Sequence, residues 1–325
     1  MENQNHKPSP SGAALLPFLV FVIVYMATGI ILNSLGVKMA FYQVPAPVCI
    51  LPAIILAFLM FKGSVDDKFT DFVRGCGNEN IIIMCLIYIL AGAFATVSKE
   101  SGGVDSVVNF ALSIIPLQFI TGGIFLIGCF ISMSTGTSVG TISTVGPIAV
   151  GLAQKGNLPM ALVLGSLVGG AMFGDNLSVI SDTTIAATRT QNVDMKDKFR
   201  ANIKMALPAA IITFVILLIV GKPEVLPTLE DRPYNPVLII PYLFVLISAI
   251  AGMNVFLVLT SGIILSGIIG IATGGLDLMT FAQNIFTGFS GMFEIFLLSM
   301  LTGGLSYMVS KNGGIEWLVQ KIRGF

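Results

Sequence analysis

Two carboxylates stand in one of the most apolar parts of this chain. Between Ser106 and Thr188 the only charged side chains are Lys155, Asp175 and Asp182. Lys155 falls in "AQKGNLP", where glycine and proline mark a loop. The aspartates fall in "GAMFGDNLSVISDTT" (Gly170–Thr184), which contains no lysine or arginine. A charge at membrane depth is costly, so such residues face a cavity and carry function. Asp175 and Asp182 are seven residues apart, which would put them on one face of an unbroken helix. Gly174 and the Asp, Asn and Ser side chains compete with helical hydrogen bonding, and so predict a broken helix here. A break leaves carbonyls free at one half-helix end and N–H groups at the other, and these ends hold cations and anions respectively. Carboxylate, amide, hydroxyl and carbonyl oxygens are hard ligands, suited to Na+ or to a carboxyl proton. Desolvation of a carboxylate favours its protonated form, which lets one group exchange H+ for Na+. The expected Na+ ligands are Asp175 and Asp182. The competing reading is that Asp175 and Asp182 lie in a cytoplasmic loop or cap helix ends, the more so for Asp182, which is nearer Arg189.

A second polar constellation is "STGTSVGTISTVGPIAVG" (Ser134–Gly151). Thr135, Thr137, Ser138 and Thr141 supply hydroxyls, and Gly136 and Gly140 allow a tight turn. As the tip of a re-entrant hairpin it would add oxygen ligands from the opposite side of the site. Gly146 and Gly151, and the pairs Gly165/Gly169 and Gly170/Gly174, read instead as small residues for helix packing. Glu294 reads as an interfacial residue.

The elements that must position these groups follow from composition. Of 325 residues, 55% are hydrophobic and 10% charged, against about 25% charged in a soluble domain. Apolar runs fall at Leu15–Leu35, Val44–Phe61, Ile81–Ser98, Ile114–Ser132, Val139–Ala153, Met160–Phe173, Lys204–Val220, Pro236–Gly252, Val255–Ile271 and Met292–Val309. The chain is expected to be an all-α polytopic membrane protein surrounded by lipid. Its first span is uncleaved, because the run is too long for a signal-peptide core. Net charge is zero, which gives no reason to expect nucleic acid as a partner. The four cysteines show no metal-ligand spacing, and the single histidine, His6, lies in the polar tail.

Basic residues set the expected orientation. Lys62, Lys68 and Arg74, and the run from Arg189 through Lys196, Lys198 and Arg200 to Lys204, mark cytoplasmic loops. The connection Ala272–Ser290 has no basic residue and is expected outside. The N-terminus with Lys7 is then cytoplasmic, and Lys99, Lys155, Lys222 and Arg232 lie outside. The segment 114–153 returns to its starting side.

The chain also contains a repeat. "LAGAFATVSKESGGVDSVV" (Leu90–Val108) aligns without gaps on "LTGGLSYMVSKNGGIEWLV" (Leu301–Val319), pairing Gly92 with Gly303 and Asp105 with Glu316. By the charge rule the two copies point in opposite directions, as in secondary transporters built from inverted-topology repeats. The expected organisation is a polar tail 1–14 and a first transmembrane repeat 15–220, with hairpin 114–153 and broken helix 160–188. An external loop 221–235 and a partial second inverted repeat 236–325 follow. The counterpart of Ser113–Val220 does not appear after Val319. A full transporter is therefore expected at roughly 430 residues, and a chain ending at Phe325 is expected to be inactive unless a homodimer completes the site.

"TGTSVGTISTVGPI" together with "GAMFGDNLSVISDTT" resembles the NhaC-type Na+/H+ antiporters of the ion transporter superfamily. The resemblance is most specific in Gly136–Ser138 and in the Phe-Gly-Asp…Ser-Asp-Thr-Thr run. It implies two inverted repeats, each with a re-entrant hairpin and a broken helix meeting at mid-membrane. It also implies ion-site positions at Thr137, Ser138, Asp175, Ser181, Asp182 and Thr183. Where the family pattern has a basic residue and a proline, this chain has Asn176 and Val179, so Asn176 changes the local charge of the site. The implied activity is Na+/H+ exchange across the bacterial cytoplasmic membrane in pH homeostasis, with no cofactor beyond the transported ions. The alternative is a carrier or exchanger of a small carboxylate, of the malate/lactate type, coupled to Na+ or H+. An intramembrane aspartyl protease would need a Gly-x-Gly-Asp motif, and Met172 occupies its first position. There is no filter-like symmetric sequence for a channel and no Walker-type loop for ATP-driven pumping. The reading is therefore of a transporter and not an enzyme.

Overall fold

The computed structural model describes residues 9–223, 233–251 and 253–323. His6, Lys7, Arg232 and most of the expected external loop 221–235 lie outside the described residues. Within them the fold is all-α, with seven helices long and apolar enough to cross a membrane. The chain divides into two compact units, 1–85 with 292–325, and 86–291.

The helices, in order, are α1 (Leu16–Ser34), α2 (Ala46–Cys49), α3 (Leu51–Met60), α4 (Val65–Cys76), α5 (Glu79–Glu100), α6 (Gly103–Ile114), α7 (Ile120–Thr135) and α8 (Ser138–Lys155). After them come α9 (Met160–Leu177), α10 (Asp182–Gln191), α11 (Met195–Val220), α12 (Ile240–Ile250), α13 (Val255–Ala272), α14 (Leu278–Gly291), α15 (Phe293–Lys311) and α16 (Gly314–Arg323). The apolar runs of the sequence are α1, α3, α5, α7–α9, α11–α13 and α15. Helices α4, α6, α14 and α16 carry polar faces and fall in stretches that hydropathy alone leaves as connections.

In the unit 86–291, glycines pack α7 against α9. A Cβ on Gly170 would collide with the Phe125 carbonyl, and one on Gly174 would lie 2.8 Å from the Met133 nitrogen. The Ser132 hydroxyl donates to the Ala171 carbonyl (2.6 Å) and that of Ser178 to the Met133 carbonyl (2.8 Å). Partner numbers rise together along both helices, so α7 and α9 run parallel. Helix α8 therefore carries the chain back to the level where α7 began, and 114–153 forms a helical hairpin. With lipid tails as apolar as the side chains, close backbone approach through small residues supplies the attraction. Gly170 and Gly174 behave as expected. Gly146, Gly151 and Gly165, also expected to pack, meet no described atom within 4 Å of an added Cβ, and Gly169 meets only the Phe125 ring at 4.0 Å. Those glycines face outward from the helix pair.

Helix α11 returns antiparallel. Near its start Lys198 and Asn202 bond to the Asn176 carbonyl, and at its end the Gly221 carbonyl accepts from Thr121 (2.8 Å). Phe125, Cys129 and Leu217 form the core between the three helices. Helices α5 and α13 form a second parallel pair. Phe94 lies against Gly262, Ser98 bonds to Ser266 (2.7 Å), and Ser101 lies against Gly270. Both relative directions match the alternation deduced from the basic loops.

The other unit has its own core of Ala14, Ile50, Ala53, Ala57, Phe61, Leu305, Met308 and Val309. Lys311 grips Asp71 through both carboxylate oxygens (2.7 and 2.8 Å). Glu294 accepts from the Ala46 N–H (3.1 Å), so it caps the start of α2.

The two repeat copies share their local geometry. Helix α4 opens on a reciprocal cap between Ser64 and Asp67, and α14 opens on one between Asp277 and Thr280. Helices α5 and α15 each lead through a left-handed glycine, Gly102 (φ 85°) or Gly313 (φ 81°), into the amphipathic α6 or α16. The packing is exchanged between copies. Gly75 of α4 sits against Gly303 and Gly304 of α15 in one unit, while Gly288 of α14 sits against Gly92 and Ala93 of α5 in the other. Each unit thus contains the same close helix crossing, made from opposite halves of the repeat.

Candidate functional site

The parallel register of α7 and α9 brings their ends to one level. Helix α7 stops at Gly136, whose left-handed φ of 74° turns the chain, and extended Thr137 starts α8. The Thr137 hydroxyl accepts from the Gly140 N–H (3.1 Å), capping α8. Helix α9 stops at Leu177. Ser178 and Ser181 are extended, and α10 begins at Asp182, so the stretch is broken as its composition predicts. The hairpin tip lies against this break. A Cβ on Gly136 would be 2.8 Å from the carbonyl carbon and oxygen of Ile180, which is why this position is glycine.

Asp175 sits at the junction. Its Oδ2 accepts from the Ser138 hydroxyl across the gap between hairpin and broken helix (3.0 Å). Its Oδ1 is buried and has no hydrogen-bond partner among the described residues. Ser134 Oγ, two residues before Gly136, is buried and unpartnered in the same way. Asp182 is half-buried at the first turn of α10, where the helix dipole favours an anion, and its Oδ1 accepts from the Thr183 N–H (2.7 Å). The Tyr88 hydroxyl donates to the Asp182 carbonyl (3.4 Å). Ser181 is fully buried and bonds to the Thr183 hydroxyl (2.9 Å).

All the sequence-predicted positions but Asn176 therefore fall into three groups. Ser138 and Asp175 touch directly. Gly136, Gly140 and Thr137 shape the hairpin turn. Ser181, Asp182 and Thr183 line the break and the start of α10, where Ser181 and Thr183 spend their hydroxyls on each other. Asn176 is exposed, and what it offers inward is its backbone carbonyl.

One partner is invisible in the linear reading, which finds no cation inside the stretch and assigns Lys198 to a cytoplasmic loop. Lys198 of α11 reaches back to the break. Its ammonium donates to the Asn176 carbonyl, one residue along from Asp175, and to the Thr184 hydroxyl (2.6 Å). The Asn202 amide also donates to the Asn176 carbonyl (3.4 Å). Lys198 comes 22 residues after Asn176, and its charged neighbours give it the look of a solvated loop. Only the antiparallel return of α11 brings it home.

A cavity of about 170 Å³ opens beside the hairpin. Thr96 and Lys99 of α5 line it with Thr135, Thr137, Thr141 and Thr144. Among the described residues, no three His, Cys, Asp or Glu side chains come together as a chelating group. The junction instead offers one carboxylate with hydroxyl and carbonyl oxygens, a donor set suited to a monovalent hard cation.

The sequence model of the Na+/H+ antiporter family matches residues 12–222. The chain is 29% identical over 215 residues to the Na+/H+ antiporter NhaC of Alkalihalophilus pseudofirmus, covering 66% of this chain and 45% of that protein. It is 30% identical over 237 residues to the Na+/H+ antiporter NhaC of Bacillus subtilis, covering 68% and 51%. It is 26% identical over 313 residues to the malate-2H+/Na+-lactate antiporter of Bacillus subtilis, covering 89% and 64%. The chain thus spans about half to two thirds of the length of these relatives.

Proposed function

The chain belongs to the Na+/H+ antiporter family, and on that premise we propose that it forms the ion-binding part of a secondary transporter exchanging Na+ for H+. The supporting observation is the Asp175 carboxylate at the meeting of hairpin tip and helix break. Ser138 orients one of its oxygens, and the other is buried without a partner. An ionised carboxylate only accepts and a protonated one carries its own O–H donor, so the unpartnered oxygen can hold either a cation or a proton. The two states exclude each other, so a site that opens alternately to each side exchanges one ion for the other. The helix break adds carbonyl oxygens, and the hairpin adds Ser138 and Thr137. Asp182 contributes a second negative charge, which strengthens cation binding.

The proposed setting is the bacterial cytoplasmic membrane, with the N-terminus in the cytoplasm. The chain acts as a carrier and not an enzyme. It uses no cofactor beyond Na+ and H+. Everted vesicles containing the full-length protein should show Na+-dependent collapse of a pH gradient, lost in Asp175→Asn. Collapse that persists in Asp175→Asn would remove this residue from the exchange.

A second reading, coupled transport of a small carboxylate, is favoured by the cavity beside the hairpin. Lys99, whose ammonium also lies 3.9 Å from the Glu100 carboxylate, lines it together with Thr137. Malate or lactate should then accelerate the vesicle signal in the wild type but not in Lys99→Met.

A further inference from the structure

The last carbonyls of a helix have no intrahelical partner and carry the negative end of the helix dipole. At the end of α9 the Asn176 carbonyl is such a group, and the buried Thr184 hydroxyl of α10 stands beside it. Together with the nearby Asp175 carboxylate they form the oxygen environment a monovalent cation would select. It is not vacant, because the ammonium of Lys198 bonds to both oxygens.

We propose that Lys198 is a cation tethered to the protein's own ion site, filling the oxygen cage at the C-terminal end of α9 that a free monovalent cation would otherwise occupy. An ammonium is a compact point charge with three rotatable donors, so it can replace an alkali ion among oxygens where a planar group fits less well. The half-buried position of Lys198 brings its charge to the break while the helix that carries it begins outside the apolar core.

The charge count gives the device its consequence. Asp175 and Asp182 contribute two negative charges and Lys198 one positive, leaving a net charge of one for the mobile ion to balance. Lys198 thereby limits the site to one mobile cation and weakens Na+ binding, so that bound Na+ can leave. This consequence rests on the reading of Asp175 as the exchanging group, but the cage itself does not.

The test uses full-length protein purified in detergent at alkaline pH, with thermal unfolding as the readout. Ionic strength is held with tetramethylammonium, which is too large for the cage. In Lys198→Ala, ethylammonium should raise the unfolding temperature saturably by replacing the missing side chain, and it should do nothing to the wild type. Ethylammonium no better than tetramethylammonium on Lys198→Ala would overturn the proposal, whatever the protein does with Na+. In the Na+ arm, half-saturation in Lys198→Ala should fall about tenfold, because a nearby like charge has been removed. Lys198→Arg, which keeps the charge on a planar group, should fall between wild type and Lys198→Ala. If Lys198→Ala does not fold, Lys198→Met supplies the Na+ arm, and an unchanged or weakened Na+ response there would equally overturn the proposal. Loss of the wild-type Na+ response in Asp175→Asn tests the antiport reading separately.

Discussion

Replacing Gly136 with alanine puts a methyl group where the hairpin tip meets the helix break. The new Cβ would lie 2.8 Å from the Ile180 carbonyl, against 3.4 Å for ordinary contact, so the two backbones must part by 3.4 − 2.8 = 0.6 Å. If the tip moves as a unit, the 3.0 Å bond from Ser138 to Asp175 lengthens to 3.0 + 0.6 = 3.6 Å and ceases to be a hydrogen bond. Alanine at φ 74° adds a left-handed penalty of roughly 1–2 kcal/mol, and overpacking adds about 1–3 kcal/mol. Thermal unfolding in detergent should therefore drop clearly, and Na+-dependent collapse of a pH gradient should weaken about tenfold or more from the lost bond to a charged group. Gly146→Ala is the matched control: its Cβ meets no described atom within 4 Å, and it stays helical. It should be neutral or slightly stabilising. If the two variants behave alike in stability and in Na+ dependence, the contact between tip and break does not hold the site together.

Three further outcomes follow from other parts of the fold. Ser138→Ala should raise the half-saturating Na+ concentration about tenfold without unfolding the protein, since it removes one bond to a carboxylate; the check is a Na+ titration of the vesicle signal. Lys311→Met should destabilise the protein by about 1–3 kcal/mol, because it strands the largely buried Asp71, and Asp71→Asn in the same chain should recover part of that loss. The Ser64 hydroxyl and N–H hold the Asp67 carboxyl below its ordinary 3.8, as Thr280 does for Asp277. A depressed carboxyl stabilises the fold above its unfolded value and loses that stabilisation as pH falls through the folded one. Acid unfolding that starts below 3.8 should therefore be blunted in the Asp67→Asn/Asp277→Asn double variant, read as unfolding temperature against pH.

Much of the site is legible in the sequence for one reason: charge is expensive in apolar surroundings, so Asp175 and Asp182 stand out wherever the helices fall. The break is legible as well, because Gly174, Asn176 and Ser178 weaken a helix by known competition. The hairpin follows from the glycines and hydroxyls of "STGTSVGT". What stays hidden depends on register. Nothing in the linear order says that Ser138 faces Asp175, which follows from the parallel packing of α7 on α9 through Gly170 and Gly174. Lys198 is hidden because its neighbours Lys196, Asp197 and Arg200 look like any solvated loop. Gly146 and Gly151 mislead in the opposite sense, since small residues in an apolar run suggest a buried crossing, yet these face outward. The polar faces of α4 and α14 conceal helices that hydropathy passes over. They share a reciprocal cap at their start and a close glycine contact, Gly75 on Gly303 and Gly288 on Gly92.

Asp175 is proposed to trade a proton for Na+. Calorimetric titration of Na+ into full-length protein, repeated in buffers of different ionisation enthalpy, measures binding and proton release together. The wild type should release protons as Na+ binds, and Asp175→Asn should show neither binding nor release. Equal Na+ affinity with equal proton release in Asp175→Asn would contradict this role.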